Sequence, residues 1–96
     1  MQYDQFEWDD LKNEINLIKH GITFKEASTV FEDTKAVLLD DYDHSQTEDR
    51  FIIIGKSKKD RLLFVCHCYR YNDEIIRIIT ARKANKYESD IYGGAQ

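Results

Sequence analysis

The stretch Arg50-Phe-Ile-Ile-Ile-Gly-Lys-Ser-Lys-Lys-Asp-Arg-Leu-Leu-Phe-Val-Cys-His-Cys-Tyr69 decides the fold. Its first part is rich in β-branched and aromatic residues, so Arg50–Gly55 reads as a strand. Ser57-Lys-Lys-Asp60 is a polar hairpin turn, and Arg61–Tyr69 returns as a second strand. Tyr71-Asn-Asp-Glu74 turns once more, into the strand Ile75-Ile-Arg-Ile-Ile-Thr-Ala81. Upstream, Ala36-Val-Leu-Leu39 adds a strand, joined to Arg50 by the polar connection that starts at Asp40. Consecutive strands with short turns predict an antiparallel meander.

The N-terminal part has a different rhythm. Tyr3, Phe6 and Trp8 predict a short strand over 3–8. Asp9 or Asp10 then caps a helix whose apolar residues Leu11, Ile15 and Ile18 share one face. Gly21 is placed to end it as a left-handed cap. Thr23 and Glu26 have capping-box spacing for a second helix, with Phe24, Ala27, Val30 and Phe31 as its buried stripe, ending near Glu32-Asp33. A short last helix over 84–92 carries Ala84, Tyr87 and Ile91 on one side. The order β-α-α-β-β-β-β-α is an α+β fold of two layers, with helices on one sheet face and the other face partly open.

Composition bounds the function. At 96 residues, with no proline and no linker or repeat, residues 1–96 read as a single domain. Apolar content of 42% and charged content of 33% suit a globular protein rather than a disordered one. No apolar run approaches the roughly 20 residues of a membrane helix. The acidic start, Met1–Asp10, lacks the basic-then-apolar order of a signal peptide, so the expectation is a cytoplasmic protein without a membrane partner. Cys66 and Cys68 flank His67, but no second ligand pair is present, so buried free thiols are expected rather than a metal site. Residues 1–49 carry 13 acidic and 4 basic side chains, a net −9, and residues 50–96 carry 10 basic and 5 acidic, a net +5. Either the basic half meets an anionic partner or the two halves attract each other across the fold.

Several basic residues are placed for chemistry. Arg50 opens a strand, Arg77 sits among four isoleucines, and Arg82 ends the same strand, followed by Lys83. A buried arginine needs a matched charge, which Glu48, Glu74 or an aspartate could supply. Alternatively, guanidinium forks fit phosphate oxygens. Strict alternation puts Arg77 and Arg82 on opposite faces unless the strand bends. Lys19 and His20 end the first helix, where its dipole favours cations and an imidazole can stay protonated as a general acid. Glu48 could orient Arg50 or take a proton. Lys56, Lys58, Lys59 and Arg61 cluster at the hairpin as a solvated turn or as contacts to a phosphate backbone. His44 reads as a solvated loop histidine and His67 as a packed, hydrogen-bonded one. These residue types suit metal-free RNA cleavage: 2′-hydroxyl attack needs a base, an acid and positive charge at the phosphorane. No glycine loop calls for a nucleotide, and no cofactor is expected.

The ordered pattern resembles the BrnT family of bacterial toxins from type II toxin–antitoxin systems. It is carried by Phe6-Glu-Trp-Asp9, Asn16, Lys19-His-Gly-Ile22, Phe24, Glu26-Ala27, Val30-Phe31, Asp33, Glu48, Arg50, Ile54-Gly55, Ile76-Arg-Ile-Ile-Thr-Ala-Arg-Lys-Ala84, Glu88 and Tyr92. Two departures are mild: Asp10 stands where the family often has proline, and Thr80 where it has serine. The resemblance implies a RelE-like fold, ribonuclease activity and translation or growth inhibition. It also implies neutralisation by a BrnA-like antitoxin, in a heterotetrameric or larger complex that binds operator DNA through the antitoxin. The matching active-face positions are Lys19, His20, Glu48, Arg50, Arg77 and Arg82, with Lys83, Lys56 and Arg61 as further RNA contacts. The competing expectation is a non-catalytic interaction module whose basic face binds a partner protein.

Overall fold

The computed structural model describes residues 5–94. In chain order the elements are β1 (Phe6–Glu7), α1 (Asp10–His20), α2 (Phe24–Ser28), β2 (Val37–Asp40), β3 (Phe51–Lys56), β4 (Leu62–Arg70), β5 (Ile75–Lys83) and α3 (Lys86–Gly94). A 3₁₀ turn over Thr29–Glu32 continues α2, and a second spans Tyr42–His44. The fold is α+β, in the element order expected.

The five strands lie in the order β1-β5-β4-β3-β2. Strands β2 to β5 form the antiparallel meander, with Ile52 opposite Cys66 and Ile54 opposite Phe64. The sheet is not antiparallel throughout, however. β1 runs parallel to β5, with Phe6 opposite Ile76 and Glu7 opposite Arg77. The chain leaves β1, crosses the sheet through both helices and re-enters at the far edge as β2, so β1 closes the free edge of β5. Tyr3, expected in this strand, lies outside the described residues.

The helix ends follow local chemistry. The Asp9 carboxylate accepts from the Lys12 N–H at 3.0 Å, and Gly21, at φ +71°, donates to the Leu17 carbonyl. Thr23 Oγ1 accepts from the Glu26 N–H at 3.1 Å. The reciprocal half of the expected capping box is missing. Glu26 is buried, and its carboxylate instead takes the Arg61 guanidinium and the Ser57 hydroxyl.

The core lies between α2 and one face of the sheet: Ile22, Phe24, Ala27 and Val30 pack on Ile53, Leu63, Val65, Ile78 and Ala81. His67 joins this layer, ringed by Phe31, Phe51 and Tyr69, and burial pushes its pKa down to about 4.

α1 departs from expectation. Leu11, Ile15 and Ile18 do not face the core; Ile18 is 87% exposed. Asn16 anchors the helix instead. Its amide donates to the Ile22 and Ala81 carbonyls at 2.9 and 2.8 Å, and its oxygen accepts from the Ala81 N–H at 3.1 Å. β1 covers only two residues of the β5 edge, so the Asn16 side chain substitutes for a neighbouring strand at Ala81. α3 starts at Lys86 and is capped by Asn85, which exchanges hydrogen bonds with Glu88. Tyr87 points to solvent rather than to the buried side. Among the described residues no helix is long and apolar enough to cross a membrane.

Candidate active site

The positions of Arg77 and Arg82 turn on one backbone irregularity. Five residues apart on a regular strand, they would face opposite ways. In β5, Ile78 pairs with His67 but Thr80 pairs with Cys66, which leaves Ile79 as an extra, bulged residue. The bulge resets the alternation. Arg77 stands opposite Cys68, Thr80 opposite Cys66 and Arg82 opposite Phe64, all on the sheet face away from the α2 core. Ile52 and Ile54 of β3 share that face through their pairing with Cys66 and Phe64, and Arg50 precedes them with the same parity.

Arg50, Ile52, Phe64, Cys66 and Arg82 line a cavity of about 410 Å³. Arg50 also borders a second, of about 180 Å³, with Glu48, Arg70 and Arg77. Lys19 and His20 border a third, of about 170 Å³, with Lys12 and Thr80. The bulged Ile79 lines all three. Lys19, His20, Glu48, Arg50, Arg77 and Arg82 therefore stand around one set of adjoining cavities.

Each arginine has a different partner. Arg77 donates to Glu7 at 2.9 Å, a partner supplied by the parallel β1 rather than by Glu48, Glu74 or an aspartate. Glu48 sits 3.7 Å from both Arg50 and Arg70. Arg50 Nε is buried without a hydrogen-bond partner. Arg82 makes two 2.8 Å bonds to Glu88 and lies 4.0 Å above the Phe64 ring. Burial raises the Glu88 carboxyl, but Arg82 and the Asn85 N–H outweigh it and hold it below the usual carboxylate range. The pairs of Arg50 and Arg77 are partly exposed, a setting in which an ion pair contributes only about 0–1 kcal/mol and a phosphate can compete.

The hairpin cations are held by other partners, although Lys56, opposite Leu62, keeps the parity of Ile52 and Ile54. Arg61 is held against buried Glu26 and the Gly21 carbonyl, beside α2. Lys56 lies at the far end of β3, paired with Asp60. Lys83 pairs with Leu63, so its parity is opposite to that of Arg82. Cys66 and Cys68 are free and buried, and burial, then Asp41, pushes the Cys66 thiol up to about 12. No three His, Cys, Asp or Glu side chains among the described residues cluster as metal ligands.

One pair escaped the sequence reading. Asp41 is buried, and both its oxygens lie within 3.1 Å of His44 Nδ1. The only sequence signal is the i, i+3 spacing, which becomes meaningful once the 3₁₀ turn over 42–44 is known. His44 is thus a loop residue, as expected, but a held one.

Comparison with known proteins gives a consistent picture. Curated protein sequences return no significant match. Among solved structures, the Brucella abortus ribonuclease toxin BrnT, a 1.1 Å crystal structure, superposes with a TM-score of 0.64 at 22% identity. The match covers 84% of this chain and 96% of that one, which establishes a shared fold. A family model described as "Ribonuclease toxin, BrnT, of type II toxin-antitoxin system" matches residues 8–88. From just after β1 to the Glu88 carboxylate that grips Arg82, the chain belongs to the BrnT family of ribonuclease toxins of type II toxin–antitoxin systems.

Proposed function

We propose that this toxin is a metal-independent endoribonuclease that acts in the cytoplasm and is neutralised by a BrnA-like antitoxin. The observation that supports it most is the gathering of Arg50, Arg77 and Arg82 on one sheet face, with Arg50 shared by two cavities and its Nε unpartnered. A scissile phosphate seated there meets guanidinium groups whose charge stabilises the phosphorane formed by 2′-hydroxyl attack. Lys19 adds positive charge, and His20 protonates the departing 5′ oxygen. Glu48, between Arg50 and Arg70, orients the guanidinium groups. Lys83, which leaves β5 on the side opposite Arg82, contacts RNA beyond the cavities rather than the scissile phosphate. Lys56, paired with Asp60, and Arg61, held against Glu26, take no part in the chemistry.

The exposed stripe Leu11, Ile15 and Ile18 on α1 suits the protein partner that a type II system implies. In this reading the antitoxin forms a heterotetrameric or larger complex with the toxin and carries the operator-binding part.

Two assays test the reading together. Induction of the gene alone should arrest growth, and co-induction with the neighbouring antitoxin gene should restore it. The purified chain should degrade RNA in EDTA. A pure, folded chain that binds its partner yet leaves RNA intact would instead be an interaction module without catalysis.

A further inference from the structure

We infer that His44 is the general base of RNA cleavage and that Asp41 is its positioning residue. The inference rests on the ribonuclease reading above and adds a group that reading leaves unassigned. Glu48 is engaged elsewhere, lying 3.7 Å from the guanidinium groups of both Arg50 and Arg70.

His44 has the geometry a base needs. Its Nδ1 lies 3.0 and 3.1 Å from the two oxygens of Asp41. An Nδ1–H donated to that carboxylate selects the tautomer whose Nε2 lone pair is free. Asp41 is itself immobilised. Its backbone N–H donates to the Arg50 carbonyl, its carbonyl accepts from the Ser45 hydroxyl at 2.6 Å, and Cys66 Sγ lies 3.6 Å from Oδ2. The imidazole is 66% exposed, so Nε2 is open to a ligand. Crucially, His44 lines the same cavity as Arg50 and Arg82. His20 borders the neighbouring cavity, which shares Ile79 and Thr80 with this one. The two imidazoles thus border adjoining cavities from different elements, the Tyr42–His44 turn and the end of α1.

The step balances without a co-reactant. The ribose 2′-hydroxyl gives its proton to His44 Nε2 as its oxygen bonds to phosphorus. The bond from phosphorus to the 5′ oxygen breaks, and that oxygen takes a proton from His20. The products are a 2′,3′-cyclic phosphate and a 5′-hydroxyl end. The charged and titratable groups around His44 are Asp41, Asp43, Arg50, Cys66 and Arg82.

The test compares wild type, His44→Gln and Asp41→Asn, each shown folded by circular dichroism. A single-stranded oligoribonucleotide is the substrate, and its 2′-O-methyl form is the binding probe. His44→Gln should lower kcat by about 10²–10⁴ while binding the methylated probe within threefold of wild type. Asp41→Asn should lower kcat without raising KM. Cleavage by His44→Gln at near the wild-type rate overturns the inference, as does a loss of cleavage matched by an equal loss of binding. An inert wild type overturns the ribonuclease reading as well, so the two failures are distinguishable.

Discussion

Arg50 and His67 show how burial separates a cavity-facing charged side chain from a packed one. Arg50 keeps its guanidinium at a cavity wall, with its nearest carboxylate beyond hydrogen-bond range and Nε unpartnered. His67 is fully enclosed by rings, and its ring nitrogens reach only the Val65 carbonyl and the Tyr69 hydroxyl, at 3.4 and 3.3 Å. Its folded pKa, about 4, lies below the 6.5 of an unfolded histidine. Between these values the unfolded chain binds a proton that the native chain refuses. Stability is therefore complete above pH 6.5 and falls as the solution is acidified. The expected loss between pH 7 and pH 5 is about 2 kcal/mol. Urea denaturation at the two pH values checks it: His67→Leu should flatten the dependence, and an unchanged slope would place its origin elsewhere. His67 was legible in the sequence because it interrupts an apolar run. His44 was not, because a polar loop gives no periodicity from which to infer a held side chain.

At the scale of elements, the meander and the helix caps could be read because each depends on near neighbours: a turn at Ser57–Asp60, an aspartate before α1, a glycine after it. The parallel pairing of β1 could not, since the chain crosses both helices before β5 arrives to meet it. The same limit hid the Arg77–Glu7 pair, whose partners are 70 residues apart. The bulge at Ile79 was equally silent, because Ile75-Ile-Arg-Ile-Ile79 offers an isoleucine to either face and no glycine marks the irregularity. α1 misled for a related reason. An apolar stripe normally faces a core, but here a single asparagine docks the helix edge-on to β5. Asn16→Leu keeps the size but strands the Ala81 N–H and carbonyl, so denaturant titration should show a loss of about 2–4 kcal/mol. A change below 0.5 kcal/mol would mean that water replaces the amide. The stripe itself makes a separate prediction. Ile18→Glu should weaken co-purification of the antitoxin at least tenfold while RNA cleavage stays within twofold of wild type. Undiminished capture would place the partner elsewhere.

For the whole molecule, the uneven charge distribution has two uses. Pairs Glu7–Arg77, Glu26–Arg61, Glu32–Lys58, Glu48–Arg50 and Glu48–Arg70 join the acidic first half to the basic second half. Mutual attraction of the halves is thus real, and it neutralises much of the basic excess. Basic residues that the acidic half leaves incompletely paired, Arg50 above all, sit where the sheet is open, flanked by the 41–50 connection and by α3. One measurement reaches the centre of this account: the rate at which folded Arg50→Ala degrades RNA in EDTA, against wild type. Arg50→Ala should cleave about 10²–10³ more slowly, and the wild-type reaction should leave 2′,3′-cyclic phosphate ends. Equal rates for the two proteins would contradict it.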